Sequence, residues 1–232
     1  MGEDFSILGI GGMEMSESLK DIVKSIFDEN GQFVSGKGEE FFKTHVHEQN
    51  PLITLVTCSD SRVQPGIFSA ELINRNFVVR NIGNQLENSV GSVDYGVFHL
   101  KTPVLLILGH VHCGAVKTFL EGYENESMSI RHELDHLCVP VSRIRKTGDF
   151  SSDWLSAVEE NVHWQVEIAV ERYGKLIEKG ELAVMGAVYD FVNCYGKGWG
   201  RILILNLNGE RKGKKIAENP LLSGLPVSDI IP

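Results

Sequence analysis

Short apolar runs alternate along this chain with stretches of helical length, and that alternation restricts the fold more than any other feature. LITLVTC (52–58), NFVVRN (76–81) and PVLLILGH (103–110) read as strands, and ELAVMGAVYDF (181–191) and RILILNLN (201–208) add two more. Between them, SVGSVDYGVFHL (89–100), CGAVKTFLEG (113–122) and the stretches at about 130–145 and 153–178 read as helices, with a shorter helical segment around 67–72. Strand and helix in repeated succession argue for the α/β class, a mostly parallel central sheet flanked by helices. The turn-rich NCYGKGWG (193–200) lets the last two strands form a hairpin, which would add an edge strand.

The ends of the chain are less regular. MGEDFSILGIGGMEMSES reads as a loose lead-in over about 1–15, without the basic region and apolar core of an export signal. SESLKDIVKSIFDENGQFV then places Leu19, Ile22, Val23 and Ile26 on one face of an amphipathic helix. The tail, about 210–232, fits either a cap or an interface arm. With no repeat and no linker, the expectation is a single domain over 1–232. A net charge of -9 argues against nucleic acid, since RKGKK (211–215), read as a solvated turn, is the one basic run. No apolar stretch is long enough to span a membrane. Four cysteines in a long chain of this kind suggest a cytoplasmic protein whose thiols serve metal binding or chemistry.

Chemistry is expected just beyond the carboxyl ends of parallel strands. The first strand ends in CSDSR (58–62) and the third in GHVHCGA (109–115). If those strands are neighbours, Cys58, His110 and Cys113 converge. Two sulfurs and one nitrogen suit tetrahedral Zn2+, one per subunit, and three protein ligands leave a fourth position for water, as in catalytic sites. Zinc lowers the pKa of bound water to about 7, which makes hydroxide available near neutrality. Asp60 would accept that hydroxide's remaining proton as a hydrogen bond, and Arg62 would hold Asp60 with its fork of donors. His112, two residues from His110, reads as an exposed proton carrier.

Two other readings compete. A closed structural zinc site would take Cys138, Cys194, His112 or Asp60 as fourth ligand, which would make the chain a non-catalytic zinc-binding protein. HELDH (132–136) fits H-E-x-x-H, the zinc motif of metallopeptidases, with Glu159 or Glu160 as a third ligand. Its alternating charge suits a wet helix face better, and it leaves the cysteines at the strand ends without a role.

CSDSRV and GHVHCGA resemble the β-class carbonic anhydrases, whose zinc is held by the cysteine of CxDxR and by the histidine and cysteine of HxxC. QNPLITLVTCSDSRV, FVVRNIGN, SVDYGVFHLK, PVLLILGHVHCGAV and GAVYDF follow in family order from about Gln49 to Phe191. The resemblance implies reversible hydration of carbon dioxide to bicarbonate and a proton, by attack of zinc-bound hydroxide. It further implies a plant-type site in which Gln49, nine residues before Cys58, and the Gly114 backbone N–H bind a substrate oxygen, while Phe77, Ile82 and Tyr95 line an apolar pocket. In the family, Gln49 and part of the pocket come from a neighbouring subunit and the N-terminal helix packs on that partner. A homo-oligomer is therefore implied, a homodimer or a homotetramer built as a dimer of dimers, with no membrane partner. Val111 replaces the usual serine or threonine, and RNIGN departs from RNAGN. The same scaffold also serves hydrolases of carbonyl sulfide or carbon disulfide.

Overall fold

The structure, a computed structural model, describes residues 18–67, 73–224 and 226–231. The lead-in at 1–15 and residues 68–72 of the short helical segment lie outside the described residues. Ile67 closes a single 3-10 turn, Pro65–Ile67.

The chain divides into two units, residues 1–48 and 49–232. In the first, helix α1 runs over Leu19–Lys43. Ser18 caps it by accepting from the Asp21 N–H while Asp21 reaches back to the Ser18 N–H, a reciprocal pair that satisfies two otherwise unpaired donors. Gly38 interrupts the helical dihedrals with φ 74°. No residue of α1 is buried, and its apolar stripe of Leu19, Val23, Ile26 and Phe27 stays exposed.

The second unit is built on five strands: β1 (Ile53–Cys58), β2 (Asn76–Asn81), β3 (Val104–His110), β4 (Ala183–Asp190) and β5 (Arg201–Leu207). Their spatial order is β2-β1-β3-β4-β5, with the first three pairings parallel and β4–β5 antiparallel at one edge. The expected strands and edge hairpin are thus borne out.

Alternation along β1 and β3 explains why both strands read as unbroken apolar runs. Val56, Cys58, Leu105 and Ile107 enter one core layer, whereas Leu55, Leu106 and Leu108 enter another on the opposite face. The first layer is covered by helix α6 (Phe150–Glu178), through Ala157, Val158, Val162, Val166 and Ala169. Close approach is secured by two strand glycines. A Cβ on Gly109 would lie 2.6 Å from a Val162 methyl, and one on Gly186 would lie 2.8 Å from a Val166 methyl.

Between β2 and β3, helix α2 (Val90–Asp94) continues into a π turn, Tyr95–His99. Helix α3 (Gly114–Glu121) follows β3 directly. The helix expected over about 130–145 is instead two short ones, α4 (Met128–Asp135) and α5 (Cys138–Ser142). Pro140 explains the break, since it lacks the N–H that a continuous helix needs there. Helix α6 begins three residues earlier than the apolar periodicity suggested, because Asp149 caps it by accepting from the Ser152 N–H at 2.8 Å.

The tail is a cap. Helix α7 (Gly213–Ala217) absorbs most of the run read as a solvated turn, with Ile216 fully buried. Ile216, Leu222 and Ile230 pack against Ile204 and Leu207 of β5. Ile230 pairs in parallel with Ile204, the Ile231 N–H donates to the Ile204 carbonyl at 3.0 Å, and Asp229 bonds Arg201 at 2.5 Å.

Candidate active site

β1 and β3 are adjacent and parallel, so their carboxyl ends deliver Cys58 and His110 to one place, and the turn into α3 adds Cys113. The two sulfurs and an imidazole nitrogen lie within 4.8 Å of one another, and all three residues are buried. Among the described residues this is the one such group of potential metal ligands.

The donor set fits a metal on its own evidence. The His110 Nδ1–H donates to the Val111 carbonyl at 2.9 Å, which leaves the lone pair on Nε2. That Nε2 is buried without a hydrogen-bond partner in the protein, and so costly a lone pair calls for a ligand. The thiols are asymmetric. A hydrogen bond from Cys113 holds Cys58 down to about 4, helped by His110 and by the Gly83 N–H, which lies 3.5 Å from the Cys58 sulfur. Donation to Cys58 and burial push Cys113 up. The pair thus favours a thiolate at Cys58 that accepts from the Cys113 thiol, and a metal held there would displace the remaining thiol proton.

Asp60 stands beside this trio, with Oδ2 3.8 Å from His110 Nε2. Arg62 takes both carboxylate oxygens, Nε to Oδ1 at 2.9 Å and Nη2 to Oδ2 at 2.7 Å, and its backbone N–H donates to Oδ1 at 2.9 Å. The Arg62 side chain bond holds the Asp60 carboxyl down to about 2, so it is an acceptor only at any ordinary pH. The same guanidinium reaches the His112 carbonyl at 3.2 Å and lies over the Phe191 ring.

Of the alternative fourth ligands, Asp60 stands beside this centre but is held by Arg62, and none of the others joins the group of three. Cys138 and Cys194 are exposed. His112 is exposed too, its ring stacked on Trp154 at 4.9 Å, and with Trp154 and Cys194 it lines a separate shallow cavity of about 220 Å³. In HELDH, Glu133 accepts from the Asn88 amide at 2.5 Å and His136 faces Glu87 at 3.4 Å, so the motif serves surface contacts.

The expected substrate residues divide between the two ends of the sheet. Gly114 opens α3 beside Cys113, where its backbone N–H has no intrahelical partner and a Cβ would meet nothing within 4 Å. Ile82 follows β2 at the same end as Cys58. Phe77, however, pairs with Thr54, four residues before Cys58, which puts it about 13 Å back along the strand. Tyr95 goes with Phe77, their rings 5.7 Å apart. Gln49 precedes the amino end of β1 and is exposed, roughly 20 Å from the carboxyl end on strand rise alone. Within one chain, Gln49, Phe77 and Tyr95 are not brought to the cysteines.

Supporting residues also emerge that the sequence reading did not single out. Arg80 on β2 binds the carbonyls of Cys58 at 2.9 Å, Asp60 at 2.9 Å and Val63 at 2.7 Å, folding the CSDSR loop around one guanidinium. Its one signal was a cation inside an apolar strand. Trp154 donates its indole N–H to the Cys113 carbonyl at 3.0 Å, from a helix with no motif to mark it.

Comparison with known proteins agrees with this geometry. The carbonic anhydrase family model matches residues 53–196, more than half of the chain. A carbonic anhydrase of Mycolicibacterium smegmatis is 30% identical over 178 residues, covering 72% of this chain and 86% of that protein. Carbonic anhydrase 2 of Mycobacterium tuberculosis is 29% identical over 183 residues, with the same coverage. Among solved structures, a tetrameric β-carbonic anhydrase of Sordaria macrospora superposes with a TM-score of 0.67 at 22% identity, covering 82% of this chain and 98% of that one. The Coccomyxa β-carbonic anhydrase gives 0.63 at 22% identity, covering 88% and 92%. These structures share the fold. The family match over residues 53–196 and the 30% identical relative, in keeping with the paired cysteines, the histidine and the clamped aspartate, establish that this chain belongs to the β-class carbonic anhydrase family.

Proposed function

We propose that this protein interconverts carbon dioxide and bicarbonate at a zinc ion held by Cys58, His110 and Cys113. The observation that carries the reading is the buried, unpartnered Nε2 of His110 facing two cysteine sulfurs beneath an arginine-held carboxylate. When bound, zinc supplies a Lewis acid that makes water acidic enough to ionise near neutrality.

The protein's own groups do the rest. Asp60 cannot donate, so it accepts the O–H of the attacking water and turns that oxygen's lone pair toward the substrate carbon. Arg62 keeps the carboxylate ionised and fixed in direction. As the carbon is attacked, negative charge grows on a substrate oxygen, and the Gly114 N–H and the Gln49 amide are the preorganised donors for it. Carbon dioxide carries no net charge, and an apolar wall of Ile82, Phe77 and Tyr95 admits it. One proton leaves per turnover, for which exposed His112 is the nearby carrier.

Gln49, Phe77 and Tyr95 belong to a neighbouring copy's site in this reading. Their place at the amino end of the strands supports it, because no local movement carries them along a strand to their own Cys58. The exposed apolar stripe of α1 is suited to lie on that partner. Cys58 and Cys113 must remain reduced to hold a metal, which a cytoplasmic location provides. The test is stopped-flow hydration across pH with zinc quantified in the same sample. No hydration at alkaline pH with full zinc occupancy would end the reading.

A further inference from the structure

Three buried side-chain amides far apart in sequence meet behind Cys58. Gln85 follows the turn after β2, while Asn161 and Gln165 lie one turn apart on α6, and each is only 1% exposed. They form a closed set. Gln165 gives its N–H to the Gln85 and Asn161 carbonyls at 2.7 and 3.2 Å, and its own carbonyl accepts from the Leu86 N–H at 2.8 Å. Gln85 and Asn161 both donate to the Gly83 carbonyl at 2.8 Å, and Gln85 donates also to the Asn161 Oδ1 at 3.1 Å. Gly83 is the residue whose N–H points at the Cys58 sulfur, at 3.5 Å.

Three buried amides in one network are costly unless every member is satisfied, and here each has partners. They also hold Gly83 in a conformation that other residues avoid, at φ +80°, with the Gln85 amide nitrogen 3.1 Å from where a Cβ would stand. An apolar cluster would fill the space between α6 and the sheet as well, but would not fix the direction of one N–H.

We infer that Asn161, Gln165 and Gln85 are positioning residues that clamp Gly83 so that its N–H stays on the Cys58 thiolate. Through that bond α6 governs how firmly Cys58 holds the metal. An N–H aimed at a thiolate withdraws charge from the sulfur and fixes its direction, as outer partners of metal ligands do. The inference rests on the zinc reading above, with Cys58 as a ligand.

The experiment is nuclear magnetic resonance of the 113Cd-substituted protein, which detects coupling from the metal through a thiolate sulfur to an amide proton. Wild type should show a cross-peak between cadmium and the Gly83 N–H. In Asn161→Ala, or in the milder Asn161→Ser should the first not fold, that cross-peak should weaken or vanish. Metal affinity by chelator competition should fall about tenfold, as for other outer-shell partners. A merely structural network predicts a lower melting temperature with cross-peak and affinity at wild-type values, and that result overturns the inference. So does a wild-type spectrum with cadmium coupled to Cys58 but not to Gly83. If cadmium couples to no Cys58 proton at all, the zinc reading itself falls, and the two failures are told apart.

Discussion

Arg62 grips both oxygens of Asp60, at 2.9 and 2.7 Å, while the carboxylate stands 3.8 Å from the imidazole nitrogen of His110. The pair spans only three positions of the chain, yet it turns a carboxylate toward a buried trio of potential metal ligands without letting it join that trio. Two side-chain N–H donors and the Arg62 backbone N–H together leave the carboxylate one direction, on Oδ2, in which to accept a further hydrogen bond.

Replacing that acceptor isolates its role. Asp60→Asn keeps the shape and loses the charge, and one amide N–H then points where a lone pair is needed. Turnover is expected to fall by about 100-fold or more, the usual range for a lost proton-handling group. Zinc content should remain near one per chain. Stopped-flow hydration with metal analysis on the same preparation checks both, and undiminished turnover would remove Asp60 from the reaction.

The split of the expected substrate residues between the sheet's two ends gives a complementation test. On the proposed reading, Gln49→Ala should damage the partner's site and Asp60→Asn its own. In a mixed dimer both lesions fall on one site and the other site is whole. Dissociating and reassembling equal amounts of the two variants should restore about a quarter of wild-type activity, from statistical pairing across a two-fold interface. Activity no higher than the mean of the parents would place Gln49 in its own chain's site, or in none.

His163, on α6, is buried, and the Asn206 amide lies 3.1 Å from its Nδ1. Burial, with Arg211 adding to it, lowers its pKa to about 4 from the ordinary 6.5. Below about 6.5 the unfolded chain binds a proton that the folded chain refuses until about 4. The stabilisation is therefore complete above 6.5 and is lost as pH falls through that window, on the order of 3 kcal/mol in all. Urea unfolding of His163→Gln between pH 4 and 7 should show a shallower decline than wild type. Parallel curves would refute this.

Gly186 is packed against Val162 and Val166 of α6 more tightly than any side chain allows. Gly186→Ala forces α6 outward and should cost about 1–3 kcal/mol, the usual range for overpacking a core. A lower urea midpoint with the slope unchanged is the expected result. An unaltered midpoint would mean that α6 is free to shift.

Much of this was legible beforehand, for identifiable reasons. PVLLILGH and LITLVTC read as strands because alternate residues feed two core layers, leaving no polar face to confuse the pattern. Cys58, His110 and Cys113 could be grouped because adjacent parallel strands end together. Other features depend on distances that no short motif encodes. Asn161 and Gln165 are polar residues on a long helix, and only the position of α6 over Gly83 shows that they are buried. Arg80 sits in a strand pattern, and its four-way hold on the CSDSR loop exists only once the loop has folded back. Nothing in the spacing of Phe77 revealed that it lies at the far end of the sheet from Cys58.

The bridge between Ile230 and Ile204 has a bearing on self-association. A bare outermost strand is a template on which a neighbour's backbone can grow. Here that seat is taken at Ile204 by the segment around Ile230, which is sunk against it. A protease nick shortly after Leu207 would loosen that cover and bare the Ile204 carbonyl and the isoleucines around it. The segment at 226–231 thus works as a stopper at that point of the edge, and its loss would leave a seat on which another chain can pair.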